Sequence, residues 1–214
     1  LIGDAIAHVG YTSGDGTVPL VSADYINIPS SNKFYAKDAD HAKLPSKDGV
    51  RELILNILKG EVIDLDNNVS GNSDFCNFKG KKLTWHSPVE IHIYDSNNRH
   101  TGPITDNGIE YSIPGIDYDV MGHNKFIFLS TDNGGIYRVE AIGLETGSFD
   151  LSITEVDNGQ NLETQIFNDV PVNTETTAKL TINNDPNETI EIVENNVAHT
   201  ETVDATVFGD QALD

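Results

Sequence analysis

From Ser87 onward the chain alternates. Val89, Ile91 and Ile93 are apolar, and Glu90, His92 and Tyr94 stand between them. A strand sends successive side chains to opposite faces, so this spacing predicts a half-buried strand with one apolar and one polar side. Asp95-Ser96-Asn97-Asn98 supplies the turn that ends it. Further strands are expected over 109–113, 125–130, 136–142, 148–155, 163–167, 177–182 and 188–193. Turn clusters such as Asp132-Asn133-Gly134-Gly135 and Asn183-Asn184-Asp185-Pro186 separate them. About eight short strands at fairly even spacing are the pattern of an all-β antiparallel sandwich. Phe149, Leu151 and Ile153 are expected in its core, and Trp85 in packing at its margin.

The first 60 residues read differently. Ser46 to Leu58 predicts a helix: Val50, Leu53, Ile54, Ile57 and Leu58 share one face, Ser46 can cap it, and Lys59 and Gly60 close it. Short strands are expected at 5–9 and 33–36, while Pro19 argues against an interior strand at 18–23. One helix and two short strands are too little for a core of their own, so the segment reads as the end of a larger α/β domain. The expected organisation is therefore 1–60 as that end, 61–85 as a linker, 86–195 as the sandwich, and 196–214 as an acidic tail or the start of another module.

Charge divides the chain in the same way. The 214 residues carry a net charge of −21, and residues 86–214 hold 23 acidic against 4 basic side chains. An acidic surface repels nucleic acid and anionic lipid, which excludes both as partners of this half. No apolar run is long enough to span a membrane. The single cysteine, Cys76, permits no internal disulfide. The chain starts at Leu1, and the expectation is that a longer N-terminal portion precedes it.

Gly14-Asp15-Gly16 puts a carboxylate on a glycine-flanked turn, and His41 follows 26 residues later, just before the amphipathic helix. An Asp that accepts the Nδ1 proton of a His fixes its tautomer and stabilises the imidazolium formed when Nε2 takes a proton from a serine. That pairing requires the Asp15 carboxylate to come within about 3.2 Å of His41 Nδ1.

The run Gly14-Asp15-Gly16-Thr17-Val18-Pro19-Leu20-Val21-Ser22-Ala23, with His41-Ala42-Lys43-Leu44-Pro45 before the helix, resembles the C-terminal end of an α/β-hydrolase lipase or esterase. The likeness is to the lecithin:cholesterol acyltransferase-like group, and it covers residues 1–60. It implies a parallel sheet flanked by helices, with Asp15 as the orienting acid and His41 as the general base. It also implies a secreted serine hydrolase acting on carboxylic, above all lipid, esters, placed outside the cell or on its surface. No G-x-S-x-G elbow is present, so the nucleophile is expected upstream of Leu1 and the chain by itself is expected to be inactive. The β-rich part resembles, more loosely, the sandwich modules of secreted microbial proteins.

No cofactor is required by this chemistry. His92, His100 and His123 lack the spacing of a zinc site. Asp64, Asp66 and Asp74, or Asp95 with Asn97 and Asn98, offer oxygens to a structural calcium, but none fits the twelve-residue EF-hand loop. The competing reading is a non-catalytic surface or binding protein whose acidic sandwich makes protein or calcium-dependent contacts.

Overall fold

The computed structural model describes residues 13–15, 17–37, 39–86, 88–105, 108–131, 135–157, 159–183 and 188–209. The strand expected at 5–9 and the glycine at position 16 lie outside them. The chain forms two compact units that divide between Phe78 and Lys79.

In the first unit the described elements are α1 (Leu20–Asp24), β1 (Tyr35–Ala36), α2 (Val50–Lys59) and β2 (Val69–Ser70). Helix α2 begins after Gly49, whose N–H is accepted by the Glu52 carboxylate at 2.9 Å. It ends on Gly60 at φ 68°, a left-handed position that glycine takes without a side-chain clash. Ser46, the expected cap, lies instead in a separate 3₁₀ turn, Leu44–Ser46. The expected parallel hydrolase sheet is not what this sequence forms. The connection from β1 through α2 returns the chain antiparallel, pairing Tyr35 with Ser70 and Ala36 with Val69. A hydrolase core needs strand–helix–strand crossovers that return parallel. Every sheet among the described residues is antiparallel, and the two α-helices are short, which corrects both the fold class and the family resemblance.

The second unit is all β. Its strands are β3 (Lys79–His86), β4 (Val89–Asp95), β5 (His100–Pro103), β6 (Ile109–Tyr111), β7 (Ile116–Met121), β8 (Asn124–Ser130), β9 (Tyr137–Gly143), β10 (Gly147–Asp157), β11 (Gln160–Val172), β12 (Thr177–Ile182), β13 (Ile190–Glu194), β14 (Val197–Glu201) and β15 (Ala205–Phe208). They form a six-stranded sheet in the order β15-β11-β10-β3-β8-β7 and a seven-stranded sheet in the order β14-β13-β12-β9-β4-β5-β6.

The apolar sides of both sheets share one core. Val89, Ile91 and Ile93 come from the seven-stranded sheet and Leu83, Ile127, Leu129 and Leu151 from the six-stranded one, all without measurable exposure. Trp85 packs against Phe149 with ring centroids 5.1 Å apart, and its buried indole N–H has no hydrogen-bond acceptor. Residues 79–85, expected within a linker, belong to the central strand β3. Lys81 occupies an inward position in register with Leu129, and its ammonium meets Glu188 at 2.5 Å in a buried ion pair. Residues 197–201 and 205–208, expected in a tail, extend the edges of the two different sheets.

Candidate functional site

Two polar constellations stand out, one in each unit. The first contains Asp15 and His41. Asp15 Oδ1 accepts the N–H groups of Thr17 at 3.1 Å and Val18 at 2.7 Å, so the carboxylate closes its own turn. Its other oxygen, Oδ2, lies 2.7 Å from His41 Nδ1, and the His41 backbone N–H donates to the Asp15 carbonyl at 2.9 Å. These bonds hold the Asp15 carboxyl down to about 2, the Val18 N–H contributing most and the His41 ring next. The structure thus brings the two residues together. Side-chain exposures of 51% for His41 and 20% for Asp15 place the pair at the surface.

Among the described residues no hydroxyl or thiol is hydrogen-bonded to His41 Nε2, and no parallel sheet edge presents a nucleophile. The reading of the chain as part of a serine ester hydrolase is therefore corrected, and with it the lipid or ester substrate. What the geometry does is fasten the 13–19 turn to the 39–46 segment by one side-chain and one main-chain bond.

The second constellation lies on the solvent side of the seven-stranded sheet. Glu90, His92 and Tyr94 face outward from β4 because Val89, Ile91 and Ile93 face the core. Glu90 Oε1 meets His92 Nε2 at 3.0 Å, His92 Nδ1 meets His100 Nε2 at 3.0 Å, and His100 Nδ1 meets Glu110 Oε2 at 2.8 Å. The two imidazoles stack with centroids 5.2 Å apart, and Tyr94 lies 5.1 Å from His100. On β9, opposite Tyr94, Arg138 places its guanidinium 4.1 Å from the Tyr94 ring centroid and pairs with Glu140. Ser112, and then His100, hold the Glu110 carboxyl below its ordinary value by donating to it. Gly102 keeps the site open: a Cβ there would stand 3.0 Å from His100 Nε2 and 2.8 Å from the Ile91 carbonyl.

The alternation places His92 on the polar face, and the turn after Asp95 brings His100 back beside Tyr94, with which it is in register. A hairpin reading of 89–103 therefore carried the signal for this contact.

Three of the carboxylates offered to a calcium, Asp66, Asp74 and Asp95, are engaged in turns. Asp95 Oδ1 accepts the N–H groups of Asn97 at 2.9 Å and Arg99 at 2.8 Å, and its Oδ2 accepts the Arg99 Nε–H at 2.7 Å. Asp66 Oδ1 accepts the Asn68 N–H at 2.9 Å, and Asp74 lies in a turn capped by Asn72. Among the described residues no group of three or more His, Cys, Asp or Glu side chains is placed to hold a metal ion. No helix there is long and apolar enough to cross a membrane. No protein-family model, curated protein or solved structure matches the chain.

Proposed function

We propose that this chain is a non-catalytic binding protein whose acidic sandwich contacts a protein partner through the solvent side of its seven-stranded sheet. The observation that carries this is the array of Arg138 over Tyr94 beside the linked His92 and His100. Aromatic and arginine side chains supply most of the energy at protein interfaces, and here they are already held by their neighbours, so little side-chain freedom is lost on binding. Glu90, Glu110 and Glu140 give the face an acidic rim, which selects a partner with a basic surface and speeds encounter with it. An extracellular or cell-surface setting is part of the same proposal.

The test is a calorimetric titration of the full chain with a cationic peptide probe made of alternating arginine and tyrosine. Comparison with Arg138→Ala and Tyr94→Ala separates specific from diffuse attraction. Removing Arg138 makes the protein more acidic, so diffuse attraction would strengthen. Weaker binding by both variants, by about tenfold each, is the outcome expected for a hot spot. Unchanged or tighter binding would overturn the proposal. So would hydrolysis of short- or long-chain nitrophenyl esters that disappears in His41→Ala.

A further inference from the structure

The chain Glu90–His92–His100–Glu110 runs across three neighbouring strands, β4, β5 and β6, through three hydrogen bonds. Its protons can be counted. An ionised carboxylate only accepts, so the ring nitrogens that face Glu90 and Glu110 each carry hydrogen. That uses His92 Nε2 and His100 Nδ1. The remaining contact, His92 Nδ1 to His100 Nε2 at 3.0 Å, is a hydrogen bond only if one proton lies between them. Two rings then hold three protons, and the pair is one imidazolium shared between two carboxylates.

Either change of that count breaks the chain. A fourth proton removes the acceptor and sets two positive rings face to face. Loss of the third leaves two lone pairs opposed, or frees one carboxylate. The other charged and titratable groups facing the pair are Tyr94 on β4, Arg138 and Glu140 on β9, and beyond them Lys179 on β12 and Glu191 on β13, while Lys125 on β8 acts on the Glu90 carboxylate. Arg138 is engaged with Glu140 and Tyr94, so neither ring gains a hydrogen-bond substitute for its partner there.

The tie matters because the ladder beneath it is short. Strand β5 pairs with β4 at only two positions, Ile93↔Thr101 and Tyr94↔His100, and β6 is the last strand of the sheet. We propose that His92 and His100 share one proton, and that this proton fastens the β5–β6 edge to the sheet, so that the edge loosens when the pair becomes doubly charged or fully neutral. The proposal goes beyond the binding reading and stands without it.

The experiment uses the full chain labelled with ¹⁵N. Ring-nitrogen spectra and amide hydrogen exchange are recorded across the range in which imidazoles titrate, about pH 5 to 8, and about one unit beyond on each side. Protection of the Thr101, Gly102 and 109–111 amides is expected to peak within the range and to fall about tenfold at its ends. Amides of β12 are expected to hold steady, and His100→Gln to abolish the peak. Two rings that titrate independently, or an edge that tracks β12 throughout, would overturn the proposal. If His100→Gln does not fold, the wild-type nitrogen spectra decide alone. Coupling that vanishes on adding a chelator would show a metal, not a proton, between the rings, and would also overturn it.

Discussion

In the second unit Leu83, Trp85, Ile91, Leu151 and Phe167 have no measurable exposure; in the first, Leu53 and Val69 are the only hydrophobic side chains buried among the described residues. Helix α2 shows the contrast at one element. Its apolar face carries Leu53 at 6% exposure beside Ile57 at 49% and Leu58 at 77%. The first unit is ordered by polar fastenings instead. Asp15 gathers two backbone N–H groups and His41, and Asp24 takes Lys33 at 3.0 Å and Tyr35 at 2.6 Å. Burial in a shared core and bonds between loops respond to different insults, and the two units can be told apart by them.

The largest difference is expected from emptying the core. Phe167→Ala is expected to cost about 3–5 kcal/mol in urea unfolding followed by Trp85 fluorescence, because the cavity cannot collapse between two sheets. Leu58→Ala, at an exposed position on the apolar face of α2, is expected to cost about 0.5 kcal/mol or less, read from amide exchange of α2. Similar costs for the two would erase the distinction.

Ion pairs give a finer test. Lys81 and Glu188 have side-chain exposures of 7% and 3%, so Glu188→Gln takes a carboxylate away from a buried ammonium and is expected to cost about 3–5 kcal/mol. Lys81→Met with Glu188→Leu removes both charges and is expected to recover most of that loss. Asp15 and His41, at the surface, are expected to show no such single-versus-double asymmetry.

The smallest effect concerns acid. The Asp15 carboxyl sits at about 2 in the folded chain against an ordinary 3.8. As pH falls the open form takes up the proton first, so this contribution is whole above pH 3.8 and is lost as pH falls toward about 2. Hydrogen exchange of the Thr17 and Val18 amides should quicken over that interval beyond the intrinsic change. The same measurement on Asp15→Asn should show no such step.

The strands were legible at Val89, Ile91 and Ile93, where burial alternates on one face, but not at β7, where Ile116 and Tyr118 are buried between the exposed Asp117 and Asp119. Strand β3 was hidden because its inward Lys81 finds its partner 107 residues away, a neutralisation that no local pattern announces. The contact between Asp15 and His41 could be anticipated, since a glycine-flanked Asp and a His before a helix are loop chemistry. The direction of the surrounding strands could not: a short motif specifies a turn, and the sheet around it is decided by which segments pair. The link between His92 and His100 needed a hairpin register, which turn residues indicate only once the strands on both sides are fixed.

Strands β14 and β15 bear on how the sandwich meets a pull. The segment between them crosses from the seven-stranded to the six-stranded sheet, with Val203 tucked against the core and the Asp204 N–H bonded to the Ile166 carbonyl at 2.9 Å. Tension applied beyond Phe208 loads the β15–β11 ladder from its end, so its bonds fail one after another, at low force. Val203 and Asp204 then act as a stop before the load reaches β14. The sandwich would lengthen in steps under tension, giving up a strand before its core is disturbed.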